Sequence, residues 1–141
     1  MAKYDASITN NSSRSNRIYS DLNLNFTKNP ATKDVARLTD IDAVKRSVRN
    51  LILTNRFERP FHPEIGSSIR AILFENITPL NAVLLQDRIE EVIQNFEPRV
   101  TLNQVLVQDN IDNNQYSVFI SFYVNNSPEP VTITEFLQRL R

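Results

Sequence analysis

A chain of 141 residues is long enough for one domain; with no cysteine and a single histidine, His62, it excludes disulfides, thiolate metal sites and clusters of imidazole ligands. Its 16 basic and 16 acidic side chains balance, which argues against a general nucleic-acid binder, and its one glycine, Gly66, cannot supply a glycine-rich phosphate loop. No apolar run is long enough to cross a bilayer and no charged-then-apolar leader opens the chain, so the protein is expected to stay in the compartment where it is made.

Residues 1–18 are rich in Asn, Ser and Arg without usable periodicity. They read as a mobile arm in the isolated protein, either a frayed terminus or a segment that orders against a partner. Leu22, Leu24 and Phe26 then alternate with Asp21, Asn23 and Asn25, which predicts a short strand with one buried face, closed by Asn29-Pro30. The first long helix is expected from Thr39 or Asp40 to about Asn55, with Ile41, Val44, Val48, Leu51 and Ile52 on its apolar stripe. Asp42 and Arg46 stand at favourable i,i+4 spacing. Lys45, Arg46 and Arg49 are either a solvated face or a docking surface for an acidic partner.

Residues 56–68 contain Pro60 and Pro63, which forbid helix, so Phe57, Phe61 and Ile65 are expected to anchor a packed loop. Ser68 is placed as the cap of a short helix through Ile69, Ile72, Leu73 and Phe74. Thr78-Pro79 is a strong start signal for a second long helix to about Asn95, with Leu80, Leu84, Ile89, Val92, Ile93 and Phe96 inward and Pro98 forcing its end.

The last third changes period. Tyr116, Val118, Ile120, Phe122 and Val124 alternate strictly, and Arg99 to Asp109 forms an earlier strand whose phase slips between Leu102 and Val105, a β-bulge. Asp109 to Gln115 supplies the hairpin turn. A third strand is expected from about Val131, with Thr134 to Leu140 open to helix as well. The sum is an α+β fold in which two main helices and a short one pack on one face of a small antiparallel sheet formed mainly by the C-terminal third, as a single domain over residues 19–141. Phe119 and Tyr123 then point away from the helices, toward water or toward a chain that covers them.

Catalytic chemistry has little to work with. Glu58, Glu64, Glu75 and Glu97 show no spacing that singles out an acid–base pair, and one loop histidine beside Ser67 is a weak nucleophile pair. No metal-ligand spacing and no cofactor motif is present. Glu97-Pro98-Arg99 is different in kind: in extended backbone Glu97 and Arg99 project to the same side of a stiffened turn. They form either an internal ion pair that fixes the chain reversal or a clamp for a partner.

Three blocks in order, Arg59-Pro60-Phe61-His62-Pro63-Glu64-Ile65-Gly66, Leu73-Phe74-Glu75-Asn76-Ile77-Thr78-Pro79-Leu80 and Asn95-Phe96-Glu97-Pro98-Arg99-Val100, resemble the baseplate wedge family of contractile phage tails. That family also includes a baseplate component of type VI secretion systems. The likeness spans roughly residues 41–125, with a weaker echo at Tyr19-Ser20-Asp21-Leu22. It implies a non-catalytic virion protein of the tail baseplate, assembled in the host cytoplasm. Several copies would surround the tail axis, beside other wedge proteins, the tail sheath protein, and tube or hub proteins, with no nucleic acid, membrane or cofactor. By the same resemblance the terminal sheet seeds the first sheath ring by strand addition, and the Glu-Pro-Arg signature sits at contacts within the baseplate. The resemblance implies contacts at Glu97, Pro98 and Arg99; the sheet reading adds Phe119 and Tyr123 on its outer face and Val131 and Ile133 on its last strand. Family members often carry a glycine shortly before Arg-Pro-Phe, where this chain has Phe57, so the route of residues 54–59 is expected to differ. Some relatives carry a lysozyme label, which makes a tail peptidoglycan hydrolase using Glu64 or Glu75 the alternative reading. A nucleic-acid module resting on Arg14, Arg17, Lys45, Arg46 and Arg49 is a third.

Overall fold

A computed structural model describes residues 19–125 and 127–140, so the arm expected at residues 1–18 lies outside the described residues. In chain order the elements are β1 (Ser20–Leu22), β2 (Arg37–Thr39), α1 (Asp40–Leu53), α2 (Ile69–Leu73), α3 (Pro79–Phe96), β3 (Val100–Asn110), β4 (Gln115–Val124) and β5 (Pro130–Gln138). The α+β arrangement expected from the sequence is the one observed.

Of the two long helices only α3 is capped by a side chain; Thr39, the residue before α1, makes no cap bond. Thr78 Oγ1 accepts the Asn81 amide at 3.2 Å and Pro79 takes the first turn, so α3 starts where its sequence signal stands. Helix α1 buries Ala43, Val44, Val48, Leu51 and Ile52. Helix α3 buries Ala82, Leu85, Ile89, Val92 and Ile93, whereas Leu80 and Leu84, expected inside, are 69% and 46% exposed. At 100° per residue those two leucines sit roughly 180° and 140° around the helix from Ile89, on the far side of the buried stripe.

Strands β3, β4 and β5 form an antiparallel meander with β4 in the centre. Tyr116, Val118, Ile120, Phe122 and Val124 of β4 are all buried against the helices, and Val105, Val131 and Leu137 extend that core across the sheet. The register slips between Leu102 and Gln104, the bulge foreseen from the phase change. Residues 134–138 continue as strand, because Leu137 takes its place opposite Tyr116 in the core.

Two expectations fail. Leu22, Leu24 and Phe26 are 48%, 49% and 68% exposed, so their alternation marks no buried strand face. Strand β1 stops at Leu22; Asn23 then accepts the Asn25 amide, and Phe26 turns left-handed with φ 52°. Phe57 and Phe61 are not anchors either, at 82% and 91% exposure. The loop of residues 54–67 is closed at its neck by polar bonds instead: Ser67 N–H to Thr54 carbonyl at 2.9 Å and Ser67 Oγ to Ile52 carbonyl at 2.5 Å. Gly66, at φ +156°, lets the two sides meet, since a Cβ there would lie 2.5 Å from the Arg56 amide nitrogen. Phe57 sits at φ 65°, a left-handed conformation that costs an L side chain about 1–2 kcal/mol.

Candidate protein-interaction site

Helix α3 ends at Phe96, and Glu97-Pro98-Arg99 carries the chain into β3. Glu97 is 3% exposed. Its Oε1 accepts Arg99 Nε–H at 2.6 Å, and its Oε2 accepts Arg99 Nη2–H at 2.9 Å and the Ser47 hydroxyl of α1 at 2.5 Å. Arg99 also lies over the Tyr19 ring, 5.6 Å from its centroid. Burial pushes the Glu97 carboxyl up, but the bonds from Arg99 and Ser47 with the Arg99 charge outweigh it and hold the carboxyl below its ordinary range. The internal ion pair, one of the two readings of this motif, is thus the geometry found. The junction is stapled further by Asn125, whose amide groups donate to the Arg99 and Pro98 carbonyls at 2.9 and 3.1 Å.

The remaining residues expected at contacts divide by face. Tyr123, opposite Thr101 and Pro130, shares the sheet end that holds Pro98 and Arg99; Phe119 lies mid-sheet. Both point away from the helices, and Leu106 (opposite Phe119) and Phe136 (opposite Ser117) widen this outer apolar face. Sequence reading missed those two, although Phe136 has the parity opposite to Val131 and Ile133 once the third strand is accepted. Val131 and Ile133 face inward and pack on the core, so only their backbone is available at the sheet edge.

That edge is open. Among the described residues no strand pairs with the outer side of β5. Helix α1 flanks it, tied by an Arg49–Glu135 ion pair of 2.9 Å. On one side of this pair a cleft of about 340 Å³ lies between Arg46, Arg49, Thr132, Ile133 and Asn25. On the other, a cleft of about 390 Å³ is walled by Ile52, Leu53, Leu73, Leu137 and Leu140. The expected Asp42–Arg46 pair is absent among the described residues; Arg46 Nη2 donates to Asn25 Oδ1 at 2.6 Å, and its buried Nε has no partner.

The catalytic candidates stay apart. Ser67 is buried and spends its hydroxyl on the Ile52 carbonyl, while His62 is exposed and pairs with Glu64 at 3.2 Å. The expected cap at Ser68 is also absent: that residue is left-handed, and Ser67 Oγ accepts the Ile69 amide instead. A hydrogen bond from its own backbone, helped by His62, holds the exposed Glu64 carboxyl below its ordinary range, the reverse of what a general acid needs. Among the described residues no group of His, Asp and Glu could hold a metal ion, and no helix is long and apolar enough to cross a membrane.

Comparison with known proteins places these features in company. Residues 39–129 match the family model described as baseplate wedge protein gp25. The baseplate wedge protein gp25 of Enterobacteria phage T4 is 35% identical over 116 residues, covering 82% of this chain and 87% of that one. A chain in the cryo-EM structure of the anti-feeding prophage baseplate superposes with TM-score 0.67 at 28% identity, over 79% of this chain and 89% of its own. A candidate tail lysozyme from Geobacter sulfurreducens superposes with TM-score 0.64 over 70% and 89% of the two chains; at 20% identity that likeness concerns the fold alone.

Proposed function

The chain belongs to the baseplate wedge protein gp25 family and is a wedge subunit of a contractile-tail baseplate; we propose that its particular task there is to start the tail sheath, by offering the free edge of β5 to a strand of the first sheath ring. The observation that carries this reading is the unpaired edge of β5 bordering two open clefts, at the end of a meander packed on its inner face. Main-chain groups left open along a rigid edge are the means by which an extended segment is added to a sheet. The outer face with Phe119, Tyr123, Leu106 and Phe136 would be covered by the same neighbour or by the next wedge protein. The role is structural, with assembly in the host cytoplasm and several copies around the tail axis.

A truncation of β5 is a poor test, because it strips Val131 and Leu137 from the core. A photo-crosslinking residue at Thr134 of β5, compared with one at Gln108 of β3, reports contact without that damage; both positions are exposed. With purified sheath subunit, Thr134 should crosslink and Gln108 should not. Crosslinking from Gln108 alone, or from neither during sheath initiation, would move the contact off β5.

A further inference from the structure

Resting on the strand-addition reading, we propose that the sheath segment received by β5 is acidic at its Ile133 end and apolar at its Leu137 end. Side chains of a strand alternate between faces, and an added strand lies about 4.8 Å beyond its neighbour. Its outward residues continue the Phe119 face. Its inward residues pass beyond the core and meet whatever lies beneath the outer edge of β5, which is α1.

Beside Thr132 and Ile133 that support is cationic. Lys45, Arg46 and Arg49 face the cleft against Asp42 and Glu135, three positive charges against two negative ones. Arg49 is already engaged by Glu135. Arg46 is not satisfied, for its Nε–H is buried without an acceptor while Nη2 reaches Asn25. A carboxylate, with two acceptor oxygens on a planar group, is the ligand that matches the lysine and guanidinium groups lining this cleft. Past the Arg49–Glu135 pair the support turns apolar: Ile52, Leu53, Leu73 and Leu140 surround Leu137, with Glu58 and Arg70 at the rim. One extended segment lying along β5 meets both halves, so it needs carboxylates at alternate positions at one end and bulky aliphatic side chains at the other. The charged half gives register as well as attraction, since sliding by one residue would turn the carboxylates to the outer face.

The test measures sheath-subunit affinity and Thr134 crosslinking for the full chain, for Lys45→Glu, and for Lys45→Glu with Arg46→Glu. Lys45 has no bonded partner among the described residues, so its single variant should fold even if the double variant does not. The expected result is a severalfold loss of affinity for the single change, about tenfold or more for the double, and steep weakening of the wild type with added salt. Unchanged affinity with Thr134 crosslinking retained would overturn the acidic segment and leave strand addition standing. Absence of Thr134 crosslinking in the wild type would overturn both. Binding of a short duplex DNA that competes with the sheath subunit and is lost in Lys45→Glu would assign the cleft to phosphate and also overturn the proposal.

Discussion

Arg99 and Arg46 stand in one small molecule and are used in opposite ways. Arg99 belongs to a motif whose sequence invites a docking role, yet two of its donors are fixed on Glu97, Ser47 completes that carboxylate, and Tyr19 covers the guanidinium. The junction thereby ties Tyr19 near the start of the described chain, α1, the end of α3 and the residue that leads into β3 into one point. Arg46 belongs to an ordinary-looking helix face, yet it keeps an unsatisfied donor beside an open strand edge. A buried polar group that is satisfied inside the chain builds the fold, whereas the unmatched Nε–H of Arg46 adds nothing to it, and the cleft lined by Arg46 is where the proposed segment would lie.

The comparison breaks first at Arg99. Removing the guanidinium leaves Glu97 buried with Ser47 as its one side-chain donor, and breaking such a pair from one side is among the more damaging substitutions. Arg99 is partly exposed, which lowers the penalty to about 2–3 kcal/mol. Arg99→Ala should therefore shift the chemical-denaturation midpoint clearly, and Arg99→Lys should recover only part, since an ammonium cannot make the two parallel bonds. An Arg99→Ala protein as stable as the wild type, defective only in baseplate assembly, would return the motif to a partner-facing role.

A smaller effect of the same origin appears with pH. Because the folded Glu97 carboxyl lies below its ordinary value of about 4.3, the unfolded chain takes up its proton first on acidification. The stabilisation is therefore fully present above that unfolded value and is lost as pH falls through the folded one. Stability measured between pH 6 and pH 3 should decline along this limb, and Glu97→Gln should flatten it. An identical decline in that variant would mean that other carboxylates carry the acid response.

How much of this was legible in the sequence depends on whether position or satisfaction was being read. Periodicity placed α1, α3, β4 and the bulge at Leu102/Gln104, because burial on a regular element leaves a period in the residues. It misplaced Leu80 and Leu84, since several apolar residues crowd the start of α3 and only tertiary packing selects Ala82 and Leu85. It also put Phe57 and Phe61 inside, on the premise that aromatics bury themselves; the neck of that loop is held by Ser67, Gly66 and backbone bonds, which leave no period to read. Glu97 and Arg99 were found by spacing, but their partner Ser47 lies fifty residues away and only the fold brings it close. The orphaned Nε of Arg46 leaves no mark in the sequence, because being unsatisfied is a property of three-dimensional surroundings.

The finest test is therefore a substitution expected to do almost nothing to the fold. Arg46→Gln gives up the bond to Asn25, worth about 0.5–1 kcal/mol at an exposed site, but it also removes a buried donor with no acceptor, which offsets a similar amount. The denaturation midpoint should stay within about 0.5 kcal/mol of the wild type, in contrast to Arg99→Ala. If Arg46→Gln instead destabilises the protein as strongly as Arg99→Ala does, then Arg46 is a structural staple between α1 and the Asn23–Asn25 turn, and the distinction between the two arginines collapses. Near-neutral stability joined to weakened capture of the sheath subunit is the outcome that only an outward-facing role for Arg46 produces.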